Sequence, residues 1–189
     1  SKVDENLKPI EGSEQIIEAD TLLLSIGLVP YAQLLSYLGV PLTKSKGPYV
    51  NDHLETTIDG VFVAGNVLHV HDLVDNVVEE ARLAGLSAYK FLNGNLNRGE
   101  VVKCSPGCGI NYTIPNEIDL NNLEDLTPIK FRVSKPLRDV EIIFSSGEKE
   151  LKKVFKPVAV PSEMLIVNLS KDILKDIKEP LIVSLREKK

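Results

Sequence analysis

Two runs of the chain are apolar on successive residues, Thr21 to Ile26 and Val61 to Ala64. A strand that is apolar on both faces must be covered on both, as the strands of a parallel sheet are. It also needs hydrogen-bonding neighbours along its edges. Residues 1–96 supply only these two clearly buried strands and about two helices. Two strands are too few for a doubly wound sheet. The first half is therefore expected to be incomplete alone, pairing with a missing N-terminal portion or with a partner subunit.

The segments around these runs read as short elements and turns. Asn6-Leu7-Lys8-Pro9 and Glu11-Gly12-Ser13 form a turn region between two short extended runs. Gly27 and Pro30 end the first apolar run. Tyr31 to Leu38 then reads as a helix with Leu34, Leu35 and Leu38 on one face and Gly39 closing its C-terminus. Lys44 to Gly47 is a polar turn, and Tyr49-Val50 a brief strand. After the second apolar run, Gly65 and Asn66 lead into an amphipathic helix from near His71-Asp72 to about Leu92. Leu73, Val77, Ala81, Ala84, Ala88 and Leu92 give it an apolar face at three- and four-residue spacing. Small residues (Ala81, Ala84, Gly85, Ser87, Ala88) allow close approach to a neighbouring backbone. Asn93-Gly94-Asn95 stop the helix. Strand, glycine, small polar residue, helix: this order aims backbone N–H groups and a helix N-terminus at one point, which suits a polar, electron-rich ligand edge. An ordinary strand-to-helix turn gives the same order.

From about Gly99 the texture changes. Gly109 to Pro115, Pro128 to Val133, Val140 to Phe144, Leu151 to Phe155, Met164 to Leu169 and Leu181 to Leu185 are short runs rich in Ile, Val and Phe. Gly, Pro, Asn or Ser separate them, a pattern that fits an all-β sandwich. Glu141 to Phe144, Ser145-Ser146-Gly147 and Glu148 onward read as a hairpin. Hydrophobic residues at 43 % and charged residues at 26 % are ordinary for a globular chain. A net charge of −5 with no basic patch argues against nucleic-acid partners. No apolar run approaches the roughly 20 residues of a membrane helix, and no secretory signal opens the chain. Two cysteines make no disulfide scaffold, so a cytoplasmic location is expected.

The Thr56-Thr57-Ile58-Asp59-Gly60-Val61-Phe62-Val63-Ala64-Gly65-Asn66 segment resembles the second flavin-contacting motif of the FAD-dependent pyridine nucleotide-disulfide oxidoreductases. That motif reads Thr, a few residues, Gly-Val/Ile-Phe-Ala-x-Gly-Asp, then a helix. Glu18 to Pro30 is similar to the strand-Gly-x-x-Pro stretch where such chains leave the nicotinamide domain and re-enter the flavin domain. His69 to Asp75 resembles a narrower group, the FAD/NAD-linked reductases associated with glycerol-3-phosphate dehydrogenase. Together with the β-rich pattern after Gly99, the resemblance implies an α/β then all-β chain. An incomplete Rossmann-like FAD/NAD(P)-binding portion would span 1–98, and a small β-sandwich 99–189.

It further implies cofactor contacts at Gly27, Gly65, Asn66, Asp72, Leu73 and Val74, and assigns no catalytic residue. Asn66 stands where the motif has an Asp that hydrogen-bonds a ribityl hydroxyl, and Asn keeps the acceptor oxygen. The N–H groups of His71 to Val74 would lie near the pyrimidine edge of the flavin, where a helix N-terminus favours negative charge. Asp72 reads equally as an N-cap of the helix. Neither Gly-x-Gly-x-x-Gly unit of the family is in the sequence. The chain thus resembles a C-terminal fragment or subunit of a flavin-dependent, NAD(P)-linked oxidoreductase. FAD would bind the complete enzyme, and NAD(P), as co-substrate, the absent portion; an oligomer is allowed. The rival reading is a non-catalytic interaction module that binds no cofactor by itself.

Other residue groups weigh less. His69 and His71 are two candidate ligands, no Cys or carboxylate cluster in the sequence completes a set around them, and no metal is expected. A histidine proton relay beside a flavin is a second reading of the pair. Cys104 and Cys108 read as incidental thiols of a loop. Glu79-Glu80 and Lys149 to Lys153 read as solvated charge.

Overall fold

The computed structural model describes residues 1–6 and 8–187. Leu7 of the expected first turn and the last two residues, Lys188 and Lys189, lie outside the described residues. An N-terminal portion of turns and helices is followed by an all-β, two-sheet portion.

The chain opens with a small hairpin that pairs Val3 with Pro9. Asp4 closes it locally, its carboxylate accepting the N–H groups of Asn6 and Lys8, both at 2.8 Å. The Thr21–Ile26 run then departs from expectation and forms no strand. Leu22, Leu23, Leu24 and Ile26 lie in open solvent, Leu23 at 90 % exposure. The run has the side chains of a buried strand, but no ladder along its edges among the described residues. Helix α1 (Gln33–Tyr37) is shorter than the sequence pattern. Only Leu35 of its apolar side chains is buried, and Gly39 follows at φ +85°. The Val61–Ala64 run folds back on the residues before it. Thr56 N–H donates to the Val61 carbonyl at 2.8 Å and Val63 N–H to the Leu54 carbonyl at 3.0 Å. It is the return arm of a tight turn at Asp59-Gly60 rather than a central strand.

Gly65 to Val67 form one 3-10 turn, and α2 (Val74–Leu92) follows. The helix starts at Val74, later than His71-Asp72. Its buried face is Glu80, Ala84 and Ser87, with Val77 and Phe91 half-buried. Ala81 and Leu92 of the expected apolar face are exposed. A small core gathers Leu35, Val40, Val50, Leu54, Val63, Leu68 and Ala84.

The second half contains strands β1 (Val101–Pro106), β2 (Ile110–Ile114), β3 (Glu117–Asp119), β4 (Leu126–Val133), β5 (Leu137–Ser146), β6 (Lys149–Ala159), β7 (Leu165–Ser170) and β8 (Leu181–Glu187). A one-turn helix, α3 (Lys171–Leu174), precedes β8. One sheet has the order β3-β1-β8-β5-β6, the other β2-β4-β7. Alternating side chains from both sheets meet in one core. Ile129, Phe131 and Val133 of β4 face Val140, Ile142 and Phe144 of β5, all fully buried. The Phe131 and Phe144 rings meet edge to face with centroids 6.0 Å apart. The expected β5–β6 hairpin is present, with Gly147 at φ +56° in its turn. β6 is an edge strand, and the lysines between Lys149 and Lys153 guard that edge.

The two halves share a polar seam. Asn116 N–H donates to the Val50 carbonyl at 2.9 Å. Asn116 Oδ1 accepts the Val50 N–H at 3.0 Å, and Asp52 Oδ1 accepts the Asp119 N–H at 2.8 Å. Ile114 of β2 joins the small N-terminal core.

Candidate functional site

The site is built on the loop between the Gly65–Val67 turn and α2. Gly65 sits at φ +73°, a backbone conformation that favours glycine. A Cβ at Gly65 would lie 3.6 Å from Val77 Cγ1, so packing alone does not demand glycine there. Its N–H donates to Glu80 Oε1 at 2.8 Å. Asn66 is exposed. Its carbonyl accepts the Tyr31 N–H at 3.0 Å, which ties the segment after Gly27 to this turn. Its side-chain oxygen accepts the His71 N–H at 3.2 Å and faces His71 Nδ1 at 3.3 Å.

Asp72 is not the helix cap. Leu73 occupies the cap position, and no side chain caps the first turn. The Asp72 carboxylate instead reaches across the seam, accepting from Arg132 Nη2 at 2.5 Å and from the Met164 N–H at 2.7 Å. Partial burial acts to raise its pKa. The Arg132 and Met164 hydrogen bonds outweigh burial and hold it below the usual range. With Asp72 engaged elsewhere, the first N–H groups of α2 remain without a side-chain partner, beside exposed Leu73 and Val74.

Glu80 corrects the sequence reading most. It belongs to a charge run whose pattern predicts a solvated face, yet it is 2 % exposed. Its carboxylate meets Gly65 N–H, His69 Nε2 at 2.9 Å and Lys130 Nζ at 2.5 Å. Burial by itself would raise its pKa. The His69 hydrogen bond and the Lys130 charge reverse that, placing it at about 2. His71 lies beside it, with its pKa lowered by burial and by His69. Lys130 and Arg132 come from β4. They were missed because charged residues two apart on a strand usually face water. The Ile129, Phe131, Val133 alternation does put them on the other face of the strand, and that face meets the loop.

A cleft of about 670 Å³ opens between the halves. Gly27 to Pro30, His69, Val70 and Asp72 line it on one side, and Asn111, Tyr112, Arg132, Pro161 and Ser162 on the other. Gly27 is exposed at φ +88°. The fold thus brings Gly27 and Asp72 to one cleft. Gly65, Asn66, Leu73 and Val74 sit on the loop and helix end that border it. The cysteines stand apart from this cleft. Cys104 is buried in β1, its thiol pushed by burial up to about 12, and Cys108 is exposed; both are free. The expectation of a loop pair is corrected at Cys104, which is a core strand residue.

The pyridine nucleotide-disulphide oxidoreductase family matches residues 1–88. The chain is homologous to several members of that family. The small chain of glutamate synthase (NADPH) from Mycobacterium tuberculosis is 34 % identical over 95 residues, covering 49 % of this chain and 20 % of that protein. Leghemoglobin reductase from Glycine max is 29 % identical over 135 residues, covering 68 % of this chain and 24 % of its own length. Mitochondrial dihydrolipoyl dehydrogenase from Pisum sativum is 29 % identical over 135 residues, 68 % of this chain and 26 % of its own length. The chain therefore spans about a fifth to a quarter of the length of these curated relatives. No solved structure matches it. Among the described residues no helix is long and apolar enough to cross a membrane. The matched segment contains the whole loop from Gly65 to Val74 and ends within α2.

Proposed function

We propose that the chain supplies the ribityl and ring-edge contacts of an FAD site in a flavin-dependent, NAD(P)-linked oxidoreductase. The observation that carries this is the uncapped N-terminus of α2 beside the Gly65-Asn66 turn, at the rim of a cleft. A helix end whose N–H groups lack a side-chain partner suits the electron-rich edge of a reduced flavin ring. Exposed Asn66 offers an amide to a ribityl hydroxyl. Gly27 brings backbone to the cleft without a side chain, and Asp72 fixes the loop from which Leu73 and Val74 present their N–H groups. When bound, FAD would supply the hydride chemistry. The residues of this chain bind and orient it.

The dinucleotide pyrophosphates need Gly-rich turns that this sequence lacks. NAD(P) and part of the FAD are therefore assigned to a portion or subunit outside residues 1–189. The exposed Leu22 to Val29 run is where that portion would add its strands. The reading places the assembly in the cytoplasm and allows it to oligomerise.

The test is the assembly purified from its source, assayed for flavin absorbance and intact masses. Stoichiometric FAD in a complex with a second polypeptide portion is expected. In that assembly Asn66→Leu should weaken FAD binding by about 1–3 kcal/mol, because a flavin hydroxyl loses its partner. A stable assembly free of flavin overturns the reading and favours the interaction module.

A further inference from the structure

His69 and His71 gain a third convergent group that the sequence does not reveal. Glu80 reaches them from the second turn of α2. His69 Nε2 lies 2.9 Å from Glu80 Oε2, and His71 Nε2 lies 3.2 Å from Glu80 Oε1. The three side chains are 2 %, 3 % and 0 % exposed, and their ligand atoms all fall within 4.8 Å of one another. The two imidazoles stack with centroids 3.9 Å apart.

The far side of each ring offers an acceptor for a proton on Nδ1. His69 Nδ1 faces the Val70 carbonyl at 3.2 Å, an oxygen that only accepts. His71 Nδ1 faces Asn66 Oδ1 at 3.3 Å, and the His71 N–H donated to the same atom fixes the orientation of that amide. Without a metal, His69 Nε2 hydrogen-bonds Glu80 Oε2; with the proton held on Nδ1 in each ring, the form a bound metal selects, both Nε2 lone pairs face the carboxylate. In either form His71 Nε2 is left in this buried space without a hydrogen-bond partner. A cation between the two rings and the carboxylate satisfies all three. Donation of the outer ring N–H to a carbonyl oxygen is also how metal-binding histidines are held. Metal–ligand bonds of about 2.0–2.1 Å in a tetrahedron separate ligand atoms by roughly 3.4 Å. The His–Glu separations, 2.9 Å to Oε2 and 3.2 Å to Oε1, lie within about half an ångström of that value.

We propose that His69, His71 and Glu80 form a transition-metal site, best suited to Zn²⁺, with Lys130 as its built-in competitor. Two imidazoles and one carboxylate are a nitrogen-rich set that favours Zn²⁺ over Mg²⁺ or Ca²⁺. The Lys130 ammonium now contacts Glu80 Oε2, so it holds the position of the missing positive charge. Its side chain is 11 % exposed and lies at the seam, where it has a path to water. The metal and the ammonium compete for one carboxylate. The site stands independently of the flavin reading, since its ligands are side chains of this chain alone.

The experiment is a titration of the tag-free, metal-stripped full chain with Zn²⁺ by calorimetry, and with Co²⁺ by visible absorption. Exposed Cys108 is replaced by Ser throughout to remove a stray thiol ligand. One equivalent should bind. His71→Ala removes a ring whose Nε2 has no hydrogen-bond partner and whose Nδ1 faces only the exposed Asn66 amide, so the fold should persist, as circular dichroism would verify. It should weaken binding by about 100-fold or more, since even outer-shell losses cost about 10–100-fold. Lys130→Met should tighten binding, whereas a purely structural Lys130 would leave metal affinity unchanged. Absence of saturable one-to-one binding overturns the proposal. So does affinity indifferent to His71→Ala, or unimproved by Lys130→Met in a folded variant.

Discussion

The two halves of this molecule contain the same kind of apolar, β-prone sequence and treat it oppositely. Ile129, Phe131 and Val133 in β4 are fully buried. Leu22, Leu23 and Leu24 stand 79 %, 90 % and 64 % exposed. Side-chain preference does not separate the two runs. Pairing does: β4 has β2 on one edge and β7 on the other, whereas the Leu22 run has no ladder among the described residues. A strand is stable when its backbone groups are satisfied and both faces are covered. The sandwich supplies the paired edges and the buried core face of β4 from its own sequence, and the first half supplies neither along the Leu22 run.

The largest test of that contrast is to separate the halves. We propose 98/99 as the boundary and expect 99–189 to melt cooperatively with a β-rich circular dichroism spectrum. Residues 1–98 alone should show no cooperative transition. They lose Ile114 from their small core and the Asn116 and Asp119 partners of Val50 and Asp52. A disordered 99–189 would break the comparison by showing that the sandwich depends on its neighbour.

Next in size is a pair of substitutions in the full chain. Phe131→Ala should cost about 3–5 kcal/mol, because it deletes a ring packed between the sheets. Leu23→Ala should change stability by less than about 0.5 kcal/mol, since it removes a side chain already in water. Urea midpoints measure both. A large loss at Leu23 would mean that the run is covered in solution. In an assembly with the proposed missing portion the Leu23 effect should grow, which sharpens the same comparison.

The same contrast explains what the sequence made legible. The six apolar runs after Gly99 correspond to β2, β4, β5, β6, β7 and β8, because each alternation is satisfied locally by an adjacent strand. β1 and β3 have no counterpart among those runs. β1 buries only Val102 and Cys104, and β3 is three residues long, so neither carries a strong periodic signal. In the first half, the Thr21 run has the composition of a strand but lacks the partners that would make it one. The phase of α2 was misjudged for a related reason. With no sheet covering its apolar side, the helix buries Glu80 and Ser87, and Glu80 meets the Gly65 amide and the histidines. Glu80 lies 50 residues from Lys130, and Asp72 lies 60 residues from Arg132, across the seam. Local charge pattern cannot report such a meeting. The roles of Gly27, Gly65, Asn66, Leu73 and Val74 were legible only through family resemblance, and they remain proposals.

The smallest expected effect lies in the seam itself and has a definite sign with pH. Asp52 is a buried carboxyl of the first half whose oxygen accepts the Asp119 N–H of the second. Burial raises its pKa to about 6, although the His53 charge and the Asp119 hydrogen bond pull the other way. In the unfolded chain the group titrates near 3.9. Between those values the native state holds a proton that the unfolded state has released. The contribution of Asp52 is therefore fully present below about pH 4 and is lost as pH rises through about 6. A shift of this size corresponds to at most about 3 kcal/mol, and relaxation of the seam will reduce it. Asp52→Asn keeps an acceptor for the Asp119 N–H and cannot ionise. Its stability should lie close to the parent's at pH 4 and exceed it at pH 7 by about 1–2 kcal/mol. Urea midpoints of parent and variant at the two pH values give the difference, in which the contributions of all other groups cancel. Equal pH slopes would show that water reaches Asp52 through the seam. The first half would then be open on this side as well as along the Leu22 run.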